Sequence, residues 1–272
     1  MVLLLKYLYS LHYWDAPNTI DFLGLPLITG TVNEIVGWLI AQINCSHQSP
    51  IIVTHINANN YYILSNNPRL CRNLERNGYL LFDGIAMKLA ATGLGLGWIP
   101  DLNGTDLFPL VMTKLVEQKV PLYLVGGSEL VIEKTVQQLR SFWTEINIVG
   151  YTPGYFNETE EDQVVQSINA SGAKVLLVGR GFPIQEEFSL RQRTKLKVSL
   201  IWNVGGLFDF LSGNKPRAPL WLRRMRLEWL FRLALEPHRL WARTFIVGPW
   251  LLSHIFVQQQ NSLIGVSKKK EV

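Results

Sequence analysis

A short apolar run, Leu80-Leu81-Phe82, stops at Asp83-Gly84-Ile85 before a helical pattern resumes at Ala86-Met87-Lys88-Leu89. A strand ending in this way sets its last side chains at the carboxyl edge of a parallel sheet, where open α/β proteins bind ligands. A carboxylate there can take a proton from a hydroxyl as a general base. Asp before an apolar periodic run is also a common N-cap, so this stretch alone leaves both roles open for Asp83. Four further strand ends run into polar or glycine-rich loops: Asn57, Gly126-Gly127, Gly179-Arg180-Gly181-Phe182-Pro183 and Asn203-Val204-Gly205-Gly206. Glycine lets a backbone approach a ligand and offer N–H groups to a phosphate. One such loop is often turn geometry only, but five on one edge predict a nucleotide-type pocket.

Absences narrow the ligand. The chain has neither a G-x-x-x-x-G-K-[ST] phosphate loop nor a G-x-G-x-x-G opening a helix, so ATPase and dehydrogenase readings lose their support. Gly93-Leu94-Gly95-Leu96-Gly97 follows a helical stretch and precedes Trp98-Ile99-Pro100, which predicts a loop. No Asp-x-Asp pair and no His/Cys cluster has metal spacing. A diphosphate leaving group would then be neutralised by Arg, Lys and backbone N–H groups, with no cofactor.

These residues need a frame, and the periodicity supplies one. Strand-like segments at Phe22 to Leu27, Ile51 to Ile56, Tyr79 to Phe82, Pro121 to Val125, Ile146 to Val149 and Lys174 to Val178 alternate with helical ones. The helices are expected at Thr31 to Ile43, Arg69 to Asn77, Asp106 to Val116, Glu129 to Phe142 and Glu160 to Ile168. That alternation predicts an α/β fold, a mainly parallel sheet with helices on both faces, Rossmann-like. With 272 residues, 48% hydrophobic and 17% charged, the chain is large enough for one well-buried core and an appendage. Cys45 and Cys71 lack metal or redox spacing and are expected to be buried small hydrophobes in a reducing compartment. Residues 1–14 carry Val2-Leu3-Leu4-Leu5 but are interrupted by Lys6 and His12, without a signal-peptide cleavage site. No apolar run reaches the ~20 residues that span a bilayer, so a cytoplasmic protein with only peripheral membrane contact is expected.

Several motifs follow one another in order: His55-Ile56-Asn57, Phe82-Asp83-Gly84, Asn103-Gly104-Thr105-Asp106-Leu107, Tyr123-Leu124-Val125-Gly126-Gly127 and Gly179-x-Gly181-x-Pro183-x-Gln185-Glu186. Val204-Gly205-Gly206-x-Phe208-Asp209, Arg217-Ala218-Pro219, Glu228-Trp229-x-x-Arg232 and Glu236-Pro237-x-Arg239 complete the set. The ordered series resembles the WecG/TagA/CpsF family of bacterial glycosyltransferases from about Ile20 to Arg243. The resemblance implies inverting, metal-independent transfer of N-acetylmannosamine or a relative from a UDP donor to a lipid-linked acceptor, with Asp83 as base. With it, donor contacts are expected at His55, Asn57, Gly84, Asn103, Gly104, Gly126, Gly127, Gly181, Gln185, Gly205 and Gly206, the plain alternatives being a satisfied structural histidine at His55, a turn or helix cap at Asn57 and a solvated first-turn residue at Gln185; Glu186 is expected to hold a loop or helix terminus. Two positions depart from the family pattern. His55 stands where Thr is common, with Thr54 one place earlier, and Asp101 stands where many members carry an Arg expected to meet the diphosphate. Arg180 or the carboxy-terminal arginines would then have to compensate. A UDP-sugar or lipid-pyrophosphate binding protein with little turnover is the alternative; a nicotinamide oxidoreductase would need the missing fingerprint.

Residues 214–243 carry eight Lys/Arg against two Glu, net +6, in a chain of net +5 overall. Trp221, Trp229 and Trp241 are interleaved with these charges, a composition suited to an anionic membrane surface and a lipid pyrophosphate. Arg217, Arg224, Arg232, Arg239 and Arg243 are the candidates to meet that pyrophosphate, because a guanidinium fork suits phosphate oxygens. A helical hairpin merely packed on the core remains the plain alternative, and nucleic acid is disfavoured because no binding module accompanies the charge. The expected organisation is an extension (1–19), a glycosyltransferase core (20–213), a basic amphipathic helical appendage (214–258) and a disordered tail (259–272). Residues 244–257 are apolar but carry Pro249 and His254 and are too short to span, a composition compatible with lying in the interface, and the protein is expected on the inner face of the plasma membrane. A homo-oligomer is compatible with the sequence, which sets no oligomeric state.

Overall fold

The computed structural model describes residues 18–257 except 46–47, 98, 101, 220, 223–224 and 226, and only the backbone of 239, 242 and 243. The chain opens on a hairpin, β1 (Thr19–Phe22) and β2 (Leu25–Ile28), where a single strand from Phe22 to Leu27 is expected. Leu23 and Gly24 take φ of +52° and +86°, the pair of positive values that a two-residue type I′ turn requires. Asp21 Oδ1 accepts from Gly24 N–H at 2.6 Å and closes it. The signal is weak in sequence because Leu stands where Asn or Asp is usual.

Next come α1 (Val32–Asn44), β3 (Ile51–Ile56), α2 (Ala58–Ser65), α3 (Pro68–Asn77), β4 (Gly78–Phe82) and α4 (Ile85–Gly93). Thr31 and Glu34 form a capping box at the start of α1. α5 (Gly104–Glu117), β5 (Leu122–Gly126), α6 (Glu129–Phe142), β6 (Ile148–Thr152), α7 (Glu161–Ala170), β7 (Val175–Gly179), α8 (Ile184–Gln192), β8 (Leu200–Asn203) and α9 (Leu207–Leu211) follow. β6 begins two residues later than the apolar pattern suggests. Ile146 is spent on a turn, its N–H bonded to Trp143 O, and Gly150 lets the ring of Tyr123 cross it.

The eight-stranded sheet has the order β1-β2-β4-β3-β8-β7-β5-β6, parallel except for the hairpin. Successive residues of the central strands face opposite layers, as a period of two dictates. Val53, Leu81, Leu124, Leu177 and Trp202 enter the layer beneath α1, α5 and α6. Their neighbours Ile52, Tyr123, Leu176 and Ile201 pack under α7 and α8. Ile56, Leu80 and Phe82 join the hairpin, α2, α3 and α4. The fold is therefore α/β with helices on both faces, as the alternation predicts.

Three helices follow: α10 (Glu228–Leu235), α11 (Pro237–Phe245) and α12 (residues 247–257). Val247, Leu251 and Ile255, spaced one turn apart, are buried, and the last two join the cluster of Phe22, Tyr61 and Met87. Trp250 stands edge-on to Tyr62, with ring centroids 4.9 Å apart. One face of α12 thus belongs to the core, so only its other face is open to an interface. Its outer face, with Leu252 and Phe256, stays exposed. Cys45 corrects the expected burial: it caps α1 through its backbone and is exposed, because the apolar face of the helix ends at Ile43.

Candidate active site

The strand order reverses between β3 and β8, and the chain leaving each goes to a different face. α2 joins the Tyr61 side, whereas Leu207 and Phe208 of α9 join the Trp202 side. A crevice opens at such a switch point. The paired positions Ile56 with Phe82, Thr54 with Asn203, Val178 with Asn203 and Gly126 with Gly179 bring all five loops to that carboxyl edge.

Asp83 follows β4 directly, its N–H bonded to Ile56 O at 3.1 Å. It is half-buried and does not cap α4. Gly84 is the N-cap, at φ +90° with no side-chain cap bond, and a Cβ there would meet nothing within 4 Å. Among the described residues the Asp83 carboxylate takes no hydrogen bond or ion pair. A carboxylate held at a strand end by its backbone, with its oxygens uncommitted, is placed to accept a proton.

His55 lies one pleat back on the same sheet side. Trp202 Nε1–H donates to His55 Nε2 at 3.0 Å, and the ring is 8% exposed. Burial holds its pKa below the ordinary histidine value, while Asp83 and the Leu102 backbone pull the other way. The imidazole is therefore neutral, with its proton on Nδ1, an atom without a hydrogen bond of good geometry. Gly104 packs on the ring, where a Cβ would come within 3.4 Å of Nε2. His55 is thus committed to Trp202 and α5, and its Nε2 has no capacity left for a donor.

The amides are committed as well. Asn57 Oδ1 caps α2 through Asn60 N–H at 3.1 Å, and Asn103 Oδ1 caps α5 through Asp106 N–H at 2.9 Å. Helix α2 has no apolar periodicity to announce it, only this cap. Gln185 is 3% exposed with both ends of its amide engaged: Oε1 accepts from Gly205 N–H at 3.0 Å and Nε2 donates to Glu186 Oε1 at 2.8 Å. Glu186 is fully buried, takes a second bond from Thr54 Oγ1 at 2.5 Å, and has its pKa pushed up to about 8 by burial, against those hydrogen bonds. Thr54 and Glu186 lie behind the loops on one face of the sheet, and Trp202, with His55, on the other. Thr54 adjoins the His55-Ile56-Asn57 motif and Glu186 ends the Gly179–Glu186 motif, whereas nothing in the sequence points to Trp202.

The glycines divide into two sets. Gly126 and Gly179 exist for packing: a Cβ on Gly126 would lie 2.4 Å from Gly179 O. Gly127 N–H is taken by Gly179 O at 3.3 Å, so it is not offered to a phosphate. Gly181, Gly205 and Gly84 instead border open space, and Gly206 nearly so.

The cation expected to replace the missing arginine is not Arg180. Its guanidinium donates to Gly154 O at 2.8 Å and Phe156 O at 2.6 Å, lies 3.7 Å over the Phe156 ring and nears Glu161 at 3.9 Å. Together with the Gly154 N–H bond to Gly127 O at 2.8 Å, these contacts fix loop 154–156, and the Arg180 side chain is spent there. Arg217 binds Asp106 at 2.6 Å and fastens the Arg-Ala-Pro stretch to α5. Arg232 pairs with Glu228 at 2.6 Å and lies 4.5 Å over Phe210, while Lys215 bridges Asp209 and Glu236 at 3.0 Å each. A cleft of about 390 Å³ between Gly206, Phe210, Lys215 and Arg232 joins the Gly205-Gly206 turn to α10. A larger one of about 590 Å³ lies at the opposite, amino-terminal edge of the sheet, by Ile51, Gly78 and Arg193. Arg224 and Asp101 lie outside the described residues, as do the side chains of Arg239 and Arg243. Trp221, Trp229 and Trp241 are exposed. No helix among the described residues is long and apolar enough to cross a membrane, and none of them form a group of three potential metal ligands.

A doubly wound sheet with a half-buried carboxylate and open glycine turns at its switch point defines an α/β protein of the Rossmann-like class with a ligand-binding crevice. The model of the glycosyl transferase WecG/TagA/CpsF family matches residues 20–263, and the chain belongs to that family. Its class of activity is accordingly glycosyl transfer in polysaccharide synthesis.

Proposed function

We propose that the protein is an inverting, metal-independent transferase that moves N-acetylmannosamine or a relative from a UDP donor to a lipid-linked acceptor. Asp83 takes the proton of the acceptor hydroxyl, and the freed oxygen attacks the anomeric carbon from the face opposite UDP. The bond from that carbon to the β-phosphate oxygen breaks, and UDP departs with the electron pair. The observation that carries this reading is the uncommitted carboxylate of Asp83 at the carboxyl end of β4, beside open space at Gly84. Gly84, Gly181, Gly205 and Gly206 form the donor wall, with Asn57 and Asn103 shaping it through helix caps. The acceptor pyrophosphate falls to Arg224, Arg239 and Arg243, because Arg217 and Arg232 already hold carboxylates. The exposed tryptophans support docking on an anionic membrane surface from the cytoplasmic side. We retain residues 20–213 as the catalytic core, with α12 packed onto it from outside that range. UDP release from a panel of UDP-sugars, with a short-chain prenyl pyrophosphoryl sugar as acceptor, tests the reading. No release with any donor would overturn it.

A second reading, a binder of UDP-sugar or lipid pyrophosphate with little turnover, is favoured by the commitment of Arg180 and Arg217 elsewhere, which leaves Asp101 uncompensated by them. UDP-sugar affinity without UDP release would select it.

A further inference from the structure

We propose that Glu186 is a positioning residue of this site: through Gln185 it holds the Gly205-Gly206 turn in place at the crevice, with Thr54 as its anchor on β3. Its effect on donor binding rests on the function proposed above. The chain of bonds runs from Thr54 Oγ1 to Glu186 Oε1 (2.5 Å), from Gln185 Nε2 to the same oxygen (2.8 Å), and from Gly205 N–H to Gln185 Oε1 (3.0 Å). It ties β3, α8 and the turn after β8, three of the elements around the switch point. All three side chains are at least 97% buried, at 0%, 3% and 0% exposure for Thr54, Gln185 and Glu186. Gly205, at the far end, has φ +59° and open space where a Cβ would be, so the turn faces outward while its N–H is tethered inward.

Burial, not these bonds, holds the carboxyl neutral. Among the described residues no cation pairs with Glu186, and the adjacent Glu187 adds repulsion. Both bonds fall on Oε1, leaving Oε2, which has no partner, to carry the proton. Desolvation pushes the group up to about 8. Ionisation above that pH puts an unpaired charge in an apolar layer, and opening the chain to water is how the fold relieves it.

The test is hydrogen exchange in the full-length, ligand-free protein, followed in the segment containing Gly205 and corrected for intrinsic rate. In the parent, protection should fall about tenfold between pH ~7 and pH ~9. Glu186→Gln keeps an acceptor for both bonds and cannot ionise, so its protection should not fall. Glu186→Ala should show low protection at both pH values. The Michaelis constant for the UDP-sugar should rise over the same range in the parent and not in Glu186→Gln. A parent whose protection is flat across pH 8, or a Glu186→Ala variant as protected as the parent, would overturn the proposal. The exchange pattern without UDP binding by the parent would support the tether and overturn the donor assignment instead.

Discussion

The indole N–H of Trp202 donates to Nε2 of His55 at 3.0 Å, and that one bond assigns the imidazole proton to Nδ1. The residue that replaces the family's usual Thr is therefore a neutral, buried spacer between β8 and α5, one pleat behind Asp83. Removing the indole N–H with Trp202→Phe leaves Nε2 buried without a donor, at a cost of ~1–3 kcal/mol. Denaturant unfolding would measure it, and the ¹⁵N shifts of His55 should report a mixed tautomer.

His55 also gives the fold an acid-sensitive point. Its pKa is lowered in the folded state, so below the unfolded value near 6.5 the unfolded chain binds more protons and stability falls as pH falls. The slope for one such group is at most ~1.4 kcal/mol per pH unit. His55→Gln should flatten that limb relative to the parent in unfolding midpoints taken from pH ~7 down to pH ~5.

Glu186 predicts the opposite sign. Its folded pKa lies above the unfolded value, so the folded chain binds the extra proton and stability declines as pH rises from ~4.5 until it levels near 8. Glu186→Gln should match the parent in acid and exceed it in stability at pH ~8. Equal stability of the two proteins throughout would show that the carboxyl is not held neutral.

Asp83→Asn should keep the fold, because the carboxylate holds no structural bond among the described residues. Turnover should drop ~10²- to 10⁴-fold, the usual worth of a positioned base. Activity within a few-fold of the parent would remove Asp83 from the chemistry. A chelator should leave the parent's rate unchanged, and loss on EDTA with recovery on magnesium would reveal a metal requirement.

Leu251→Ala tests whether α12 is part of the core. Leu251 is 3% exposed against the Phe22–Tyr61–Met87 cluster, and truncating a buried Leu costs ~2–5 kcal/mol. For the same reason, ending the chain after Gly213 should expose that cluster and lower stability as well as liposome binding. A truncated protein as stable as the parent, measured by thermal unfolding, would show that α12 is dispensable.

Periodicity in the sequence was enough for most of the alternating strands and helices, the carboxyl-edge loops and the placement of Asp83 at a strand end, since those depend on apolar spacing and on residues at strand ends. The hairpin at Leu23-Gly24 was not legible, because a Leu at positive φ is allowed only by the pairing of the two strands around it. Asn57 and Asn103 illustrate the limit at the site: an amide at a strand end suits a sugar or a helix cap equally, and only the chain that follows decides. Arg180, Arg217 and Gln185 could be counted in the sequence but not assigned. Whether a cation or amide is free for a ligand depends on which carbonyls and carboxylates folding brings within about 3 Å of it. The closing of α12 over Tyr61, the pairing of His55 with Trp202 across 147 residues and the burial of Glu186 likewise exist only once distant segments meet. Desolvation, which shifts both ionisable groups, is a property of that assembled interior and of no local stretch of chain.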